Sequence, residues 1–253
     1  MAAIRRAVIV MAKEPRPGQV KTRLSPALSP GLAAALYRTF LLDVFATTRE
    51  VSRADLFCFV HPPQAVGWFR EAAGARFGIE AQVGTLLSER MIAAFAELFR
   101  RGYGAVVMRN SDSPTLPSRV VTEALDALER GAGFALGPDL GGGYYLVGMT
   151  APHPELFRGV AMSTTSVLEE TLRRARALGL PIHQAKAWLD VDTPDDLAQL
   201  REQLEPARRV ERALCERTEA LLALLPQLQQ GFPGAARSGP AAAGNPGAAA
   251  PLP

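Results

Sequence analysis

Short apolar runs of strand length recur along this chain, and stretches with helical spacing and legible caps stand between them. That alternation constrains the fold more than any other feature, because helices between strands supply the crossovers that parallel pairing needs and so argue for a largely parallel sheet. The strand candidates are residues 7–12, 54–60, 79–83, 105–108, 133–136, 144–149 and 182–185. Ser29-Pro30 supplies an N-cap and a proline at the first helical position before Leu32, Leu36, Phe40 and Val44. Ser88 starts a second helix through Met91, Phe95 and Phe99, Ser118 a third that ends at Gly131, and Thr193-Pro194 a fourth. The expected fold is a three-layer α/β/α domain around a mostly parallel sheet.

At 253 residues and 48% hydrophobic content, the chain can bury one large core and carry an appendage. The domain is expected over residues 1–204. Residues 205–225 read as a charged amphipathic helix with Val210, Leu214, Leu221 and Leu225 on one face, packed on the domain or on a second subunit of a homodimer. In residues 226–253, Gly, Pro and Ala make up 19 of 28 positions, a composition expected to stay disordered. No apolar run approaches the ~20 residues that span a bilayer, and the N-terminus lacks a signal-peptide core, so a cytoplasmic protein without a membrane partner is expected. Cys58 and Cys215 make no disulfide framework, and with His61, His153 and His183 scattered, no zinc cluster is expected.

Chemistry concentrates in four segments. In the first, Met11-Ala-Lys-Glu-Pro-Arg-Pro-Gly-Gln-Val-Lys-Thr-Arg-Leu24 follows the first strand and gathers Lys13, Arg16, Lys21 and Arg23 around Glu14. Two of the chain's three lysines lie here, and lysine is the compact point charge that reaches phosphates. Residues 1–42 carry a local charge of +6 while the whole chain is +3, a field focused for a small anion. No basic cluster interleaved with aromatics appears, which argues against nucleic acid.

The second segment, Arg109-Asn110-Ser111-Asp112-Ser113-Pro114-Thr115, follows a strand, and a carboxylate there points into the crevice where open α/β sheets bind ligands. Asp112 suits Mg²⁺ held against nucleotide phosphates, and it equally suits an Asx turn before Pro114. In the third, Trp188-Leu189-Asp190-Val191-Asp192-Thr193-Pro194-Asp195-Asp196, alternation puts Asp190 and Asp192 on one side, able to face one cation. Asp192, next to the helix start, is the better ligand; Asp195 and Asp196 fall in the first helical turn and read as capping. The fourth, Gly137-Pro-Asp139-Leu140-Gly141-Gly142-Gly143-Tyr144-Tyr145, has more glycine than a hairpin needs, which allows close backbone approach to a ligand. Asp139 is a candidate ligand-facing carboxylate. Of Tyr144 and Tyr145, alternation sends one into the core.

Together, over roughly residues 5–204, these segments resemble the bacterial rSAM/selenodomain-associated transferase 1 family. That family is similar to 2-phospholactate guanylyltransferase and the molybdenum-cofactor nucleotidyltransferases, within the nucleotide-diphospho-sugar transferase (GT-A) superfamily. The resemblance implies a GT-A fold and a divalent ion, Mg²⁺ or Mn²⁺, at Asp112 and Asp192. It also implies nucleotide contacts at Lys13, Gly18, Lys21, Thr22, Arg23, Ser111, Asp139, Gly142, Gly143 and Tyr144. Members often carry an acidic pair before Gly-Gly-Tyr-Tyr, where this chain has Leu140 and Gly141.

The expected function is metal-dependent nucleotidyl transfer from an NTP to a small phosphorylated acceptor, with Lys21 and Arg23 stabilising the developing charge beside Asp112. Glycosyl transfer from an NDP-sugar, towards which the family's names lean, is the alternative. A non-catalytic nucleotide-binding protein is a third reading.

Overall fold

Ala7, Val8, Ile9 and Val10 are fully buried, and their strand, β1 (Arg6–Lys13), is hydrogen-bonded on both sides within a seven-stranded sheet. A computed structural model describes residues 4–25, 27–162, 164–205 and 213–230. The other strands are β2 (Asp55–His61), β3 (Phe77–Ala81), β4 (Ala105–Arg109), β5 (Phe134–Pro138), β6 (Tyr144–Met149) and β7 (Ile182–Gln184). All seven expected strands are present, most shifted by a residue or two at their ends. The order across the sheet is β3-β2-β1-β4-β6-β5-β7, and β6 alone runs against the rest.

That reversal positions the site. Because β6 runs backwards, its first residue, Tyr144, lies at the same edge as the carboxyl ends of β1, β4 and β5. The connections after these strands therefore converge, which is where open α/β sheets bind ligands.

Alternation along β1 splits the core into two layers. Val8 and Val10 pack under α1 (Pro30–Arg49), α2 (Val66–Ala73) and α4 (Ser118–Glu129), whereas Ala7 and Ile9 pack under α3 (Leu87–Arg100) and α5 (Val167–Ala177). Each buried Leu or Phe there contributes roughly 1.5–3 kcal/mol. The domain is α/β with three layers, as expected.

Two of the four expected caps hold in full. Ser29 accepts the Leu32 N–H at 3.3 Å, and Thr193 caps α6 (Pro194–Gln203) in a reciprocal box with Asp196. Ser88 is not a cap: α3 begins at Leu87, and the Glu89 carboxylate takes the Thr85 and Leu86 N–H groups instead. Ser118 is the first helical residue, with Pro117 before it, and the helix closes at Glu129 ahead of Gly131.

The appendage differs in its bounds from the expected 205–225. Residues 206–212, Val210 among them, and 231–253, most of the expected disordered tail, lie outside the described residues. α7 (Glu216–Gln230) begins after Cys215 and runs on through Pro226. Leu214 precedes it and is 63% exposed, so the buried face is carried by Thr218, Leu222 and Leu225. α7 lies on α1 of its own chain, and the reason is a buried charge. Asp43, 1% exposed, accepts the Thr218 N–H at 2.9 Å and the Arg217 N–H at 3.4 Å, capping α7 from a neighbouring helix.

Candidate active site

Lys21 is the pivot of the site. Its backbone is left-handed, φ 49°, at the turn that leaves the β1 loop, and this conformation sends the side chain inward to 3% exposure. Nζ donates to Val191 O at 2.7 Å, to Asp192 Oδ1 at 2.9 Å and to Asp112 Oδ1, with the Tyr37 and Phe40 rings 5.7 and 6.0 Å away. Burial alone would depress the amine, but Asp112, Asp192 and Asp190 outweigh it and hold Lys21 well above the ordinary lysine range. The expected phosphate-reaching lysine is thus committed to carboxylates.

Three acids converge there. Oxygens of Asp112, Asp190 and Asp192 lie within 4.8 Å of one another. The Val191 N–H donates to Asp112 O at 3.0 Å, and this bond locks the segment after β4 to the segment before α6. Alternation indeed puts Asp190 and Asp192 on one side, and Asp190 joins the pair expected from sequence. The three acids differ in environment. Burial, then the neighbouring Asp112, pushes Asp190 well above the usual carboxylate range despite Lys21. Burial also works against Asp192, yet Lys21 and Arg23 hold it below that range.

The cluster suits a hard divalent cation. Asp190 Oδ1 is buried without a hydrogen-bond partner, and three carboxylates outnumber the two cations beside them, Lys21 and Arg23. Asp196 is not part of it: its Oδ2 takes the Asp192 and Thr193 N–H groups at 3.0 and 2.7 Å, the expected capping role.

The glycine-rich loop closes one side. Asp139 Oδ1 accepts the Gly141 and Gly143 N–H groups at 2.7 and 2.8 Å, so this carboxylate first serves to shape the loop. Gly142 has φ +90°, and a Cβ there would lie 2.5 Å from Thr165 O, so only glycine fits. Of the tyrosines, Tyr145 is the core residue, 1% exposed, its hydroxyl donating to Lys186 O at 2.7 Å. Tyr144 turns to the other layer, where its hydroxyl meets Met162 Sδ at 3.9 Å.

A cavity of about 450 Å³ joins these parts, lined by Arg23, Asp112, Asp139, Gly143, Tyr144, Asp190 and Asp192 among others. Several expected contacts lie outside its lining. Lys13, at the end of β1, and Gly18 and Thr22, in the segment after it, remain beyond the lining, and Lys21 lies beneath the carboxylates. Ser111 is buried and shares a 2.7 Å hydrogen bond with the Tyr37 hydroxyl. Gly142 faces Thr165. Sequence reasoning did not find Tyr37, which also accepts the Lys13 N–H at 3.2 Å, because a tyrosine at helical spacing reads as core. Nor did it find Asn110 or the methionines of the lining, whose types carry no motif.

Known proteins share this architecture. A candidate nucleotide-diphospho-sugar transferase from Desulfovibrio desulfuricans G20 is 33% identical, with a TM-score of 0.79 over 90% of this chain and 97% of that one. The family described as an uncharacterized protein conserved in bacteria, DUF2064, matches residues 44–164. The chain belongs to the DUF2064 family. More distant structures share the fold alone. A 4-diphosphocytidyl-2C-methyl-D-erythritol synthase has a TM-score of 0.54 at 14% identity, covering 81% of this chain and all of that one. Rv0371c from Mycobacterium tuberculosis H37Rv has a TM-score of 0.51 at 14% identity, covering 80% and 100%. No curated protein matches by sequence. Among the described residues of this DUF2064 member, no helix is long and apolar enough to cross a membrane.

Proposed function

We propose that this DUF2064 protein is a metal-dependent glycosyltransferase that moves a sugar from a nucleoside diphosphate to a small acceptor. The observation that carries the reading is the convergence of Asp112, Asp190 and Asp192 in one open cleft, whose lining also includes the exposed cation Arg23. Asp112, Asp190 and Asp192 would hold Mg²⁺ or Mn²⁺, which supplies counter-charge for the departing diphosphate. Arg23, 69% exposed and 3.4 Å from Asp192, is placed to turn to a phosphate. Lys21 fixes the carboxylates in position, and the loop ordered by Asp139 forms a wall for the sugar or acceptor. The transfer breaks the bond between the anomeric carbon and the diphosphate oxygen and forms one from that carbon to an acceptor oxygen. Support comes from the 33% identical relative, a candidate nucleotide-diphospho-sugar transferase. The resemblance to the rSAM/selenodomain-associated transferase 1 family agrees with it.

Nucleotidyl transfer from an NTP is the second reading, favoured by the cationic loop with Lys13 and Arg23. Its case is weaker with Lys21 tied to carboxylates and Arg16 paired to Glu14 at 2.6 Å. Incubation with each NTP and each common NDP-sugar, with Mg²⁺ or Mn²⁺ and an acceptor mixture, decides between them. NDP release that depends on acceptor supports glycosyl transfer; pyrophosphate release replaces it with nucleotidyl transfer. Binding without either product leaves a nucleotide-binding protein.

A further inference from the structure

Four of the chain's six methionines, Met11, Met91, Met108 and Met162, line the same cavity, away from any motif. They come from β1, α3, β4 and the segment before α5, and all belong to or pack against the core layer under α3 and α5. Methionine is flexible and polarisable, so a wall built from it adapts to irregular apolar shapes. Two exposed leucines join them in the lining. Leu87 at the start of α3 is 41% exposed and Leu140 on the glycine-rich loop is 59% exposed, and both line the cavity. Exposed leucines beside the methionine side of a cleft that is otherwise acidic point to recognition rather than folding.

Two further observations limit the occupant. The cavity's lining includes Asp112, Asp139, Asp190, Asp192 and Asp196 against Arg23 and Arg109. Arg109 is turned away, its guanidinium donating to Ser113 O at 2.9 Å and Thr48 Oγ1 at 3.4 Å. With the divalent ion and Arg23 committed to the donor's diphosphate, a second anionic group would meet the carboxylates with no further free cation among the described residues of the lining to answer it. Asn110 follows Met108 on the same face by strand alternation, and neither its Oδ1 nor its Nδ2, both buried, has a hydrogen-bond partner. Buried orphan amides are rare and call for a missing partner.

We propose that the methionine-lined half of the cavity is the acceptor subsite and takes an uncharged small molecule with a hydrocarbon body and an amide- or hydroxyl-type head that pairs with Asn110. This rests on the glycosyl-transfer reading and sets aside the phosphorylated acceptor. The acidic end then receives the acceptor's reacting hydroxyl, and the apolar end holds its body.

The test uses full-length, metal-free protein labelled with [methyl-¹³C]methionine and titrated with 4-phenylbutanamide. The methyl signals of Met11, Met91, Met108 and Met162 shift together, while Met149, buried outside this lining, does not. Leu140→Asp, on an exposed loop, and Asn110→Ala each weaken the probe by about fivefold or more, the scale of one lost apolar or hydrogen-bonded contact. Absence of shifts, or unchanged affinity in both variants, overturns the proposal. So does tighter binding of glycerol 3-phosphate, and so does a nucleoside that moves the same methyls at lower concentration, which would give the chamber to the base. Separate titrations with the common nucleoside diphosphates and Mn²⁺ keep the two readings apart. Failure of those alone removes the transferase reading and leaves the apolar site, whereas failure of 4-phenylbutanamide alone removes the subsite.

Discussion

Lys21 Nζ is in direct ion contact with Asp112 Oδ1 while only 3% of the lysine side chain meets solvent. Removing the lysine leaves the carboxylates of Asp112 and Asp192, 31% and 42% exposed, facing one another with only partial hydration, which is costly though less so than in a fully buried pair. Here the lysine also faces Asp192, so it is the structural counter-ion of the carboxylate cluster.

Lys21→Met should therefore lower stability by about 1–3 kcal/mol in chelator, below the ~3–5 kcal/mol of half-broken pairs buried on both sides, because Asp112 and Asp192 keep partial solvent. Mn²⁺ should recover more of the melting temperature in this variant than in the wild type, since an added cation replaces the lost one. Thermal melts in EDTA and in Mn²⁺ measure both effects. Equal melting temperatures for the two proteins in EDTA would refute the counter-ion role.

Asp190 gives a pH signature. Burial, then the neighbouring Asp112, holds its folded carboxyl well above the ordinary aspartate range, so the folded state disfavours its charge. That penalty is fully present above the raised folded pKa and disappears as pH falls below the unfolded one. Metal-free Asp190→Asn should thus melt higher than wild type at about pH 8, with the gap closing towards about pH 4. The same variant should bind Mn²⁺ more weakly. A gap that is constant across that range would contradict the assignment.

Metal dependence separates the carboxylates. Asp112→Asn and Asp192→Asn should each raise the Mn²⁺ needed for half-saturation by about tenfold or more, because asparagine keeps the shape and deletes the charge a hard cation needs. Asp139→Ala should leave that requirement unchanged and instead loosen the loop, having lost acceptors for two N–H groups. Calorimetric Mn²⁺ titrations of the three variants decide it. A normal requirement in the first two with a shift in the third would move the ion to Asp139.

Away from the site, Asp43→Ala should cost about 1–3 kcal/mol by leaving the α7 N–H groups without their acceptor. Hydrogen exchange should rise across 216–226, while nucleotide and Mn²⁺ binding remain unaltered. Unchanged protection in that segment would show that Leu222 and Leu225 alone hold the helix.

The strands were legible because their side chains obey a period set by the pleat, as the two faces of β1 illustrate. Thr193 and Ser29 were legible as caps for a similar local reason. Ser88 misled because a competing acceptor, Glu89, lies one residue on, and local chemistry alone does not rank the two. Asp112 and Asp192 stood out as strand-end acids, and Asp190 followed from alternation. The burial of Lys21 did not follow: it depends on contacts with Asp112 and Val191, remote in sequence, and a cation in a basic loop reads as open to solvent. Asn110 and the methionines were hidden for the same reason, since only the folded sheet brings β1, α3 and β4 around one space.

The backward course of β6 also separates two kinds of tolerance to change. Residues 139–143 leave β5 and enter β6 at one edge, so a side-chain change at an exposed position of that turn disturbs the register of neither strand. The parallel strands β1 and β4, which place Lys21 and Asp112, share no hydrogen bond with that turn and keep their own pairing. Side-chain changes at the exposed Leu140 are therefore the point of entry for engineering a new acceptor wall, while Asp139 and Gly142 keep the turn's shape and the ion-binding half of the sheet keeps its geometry.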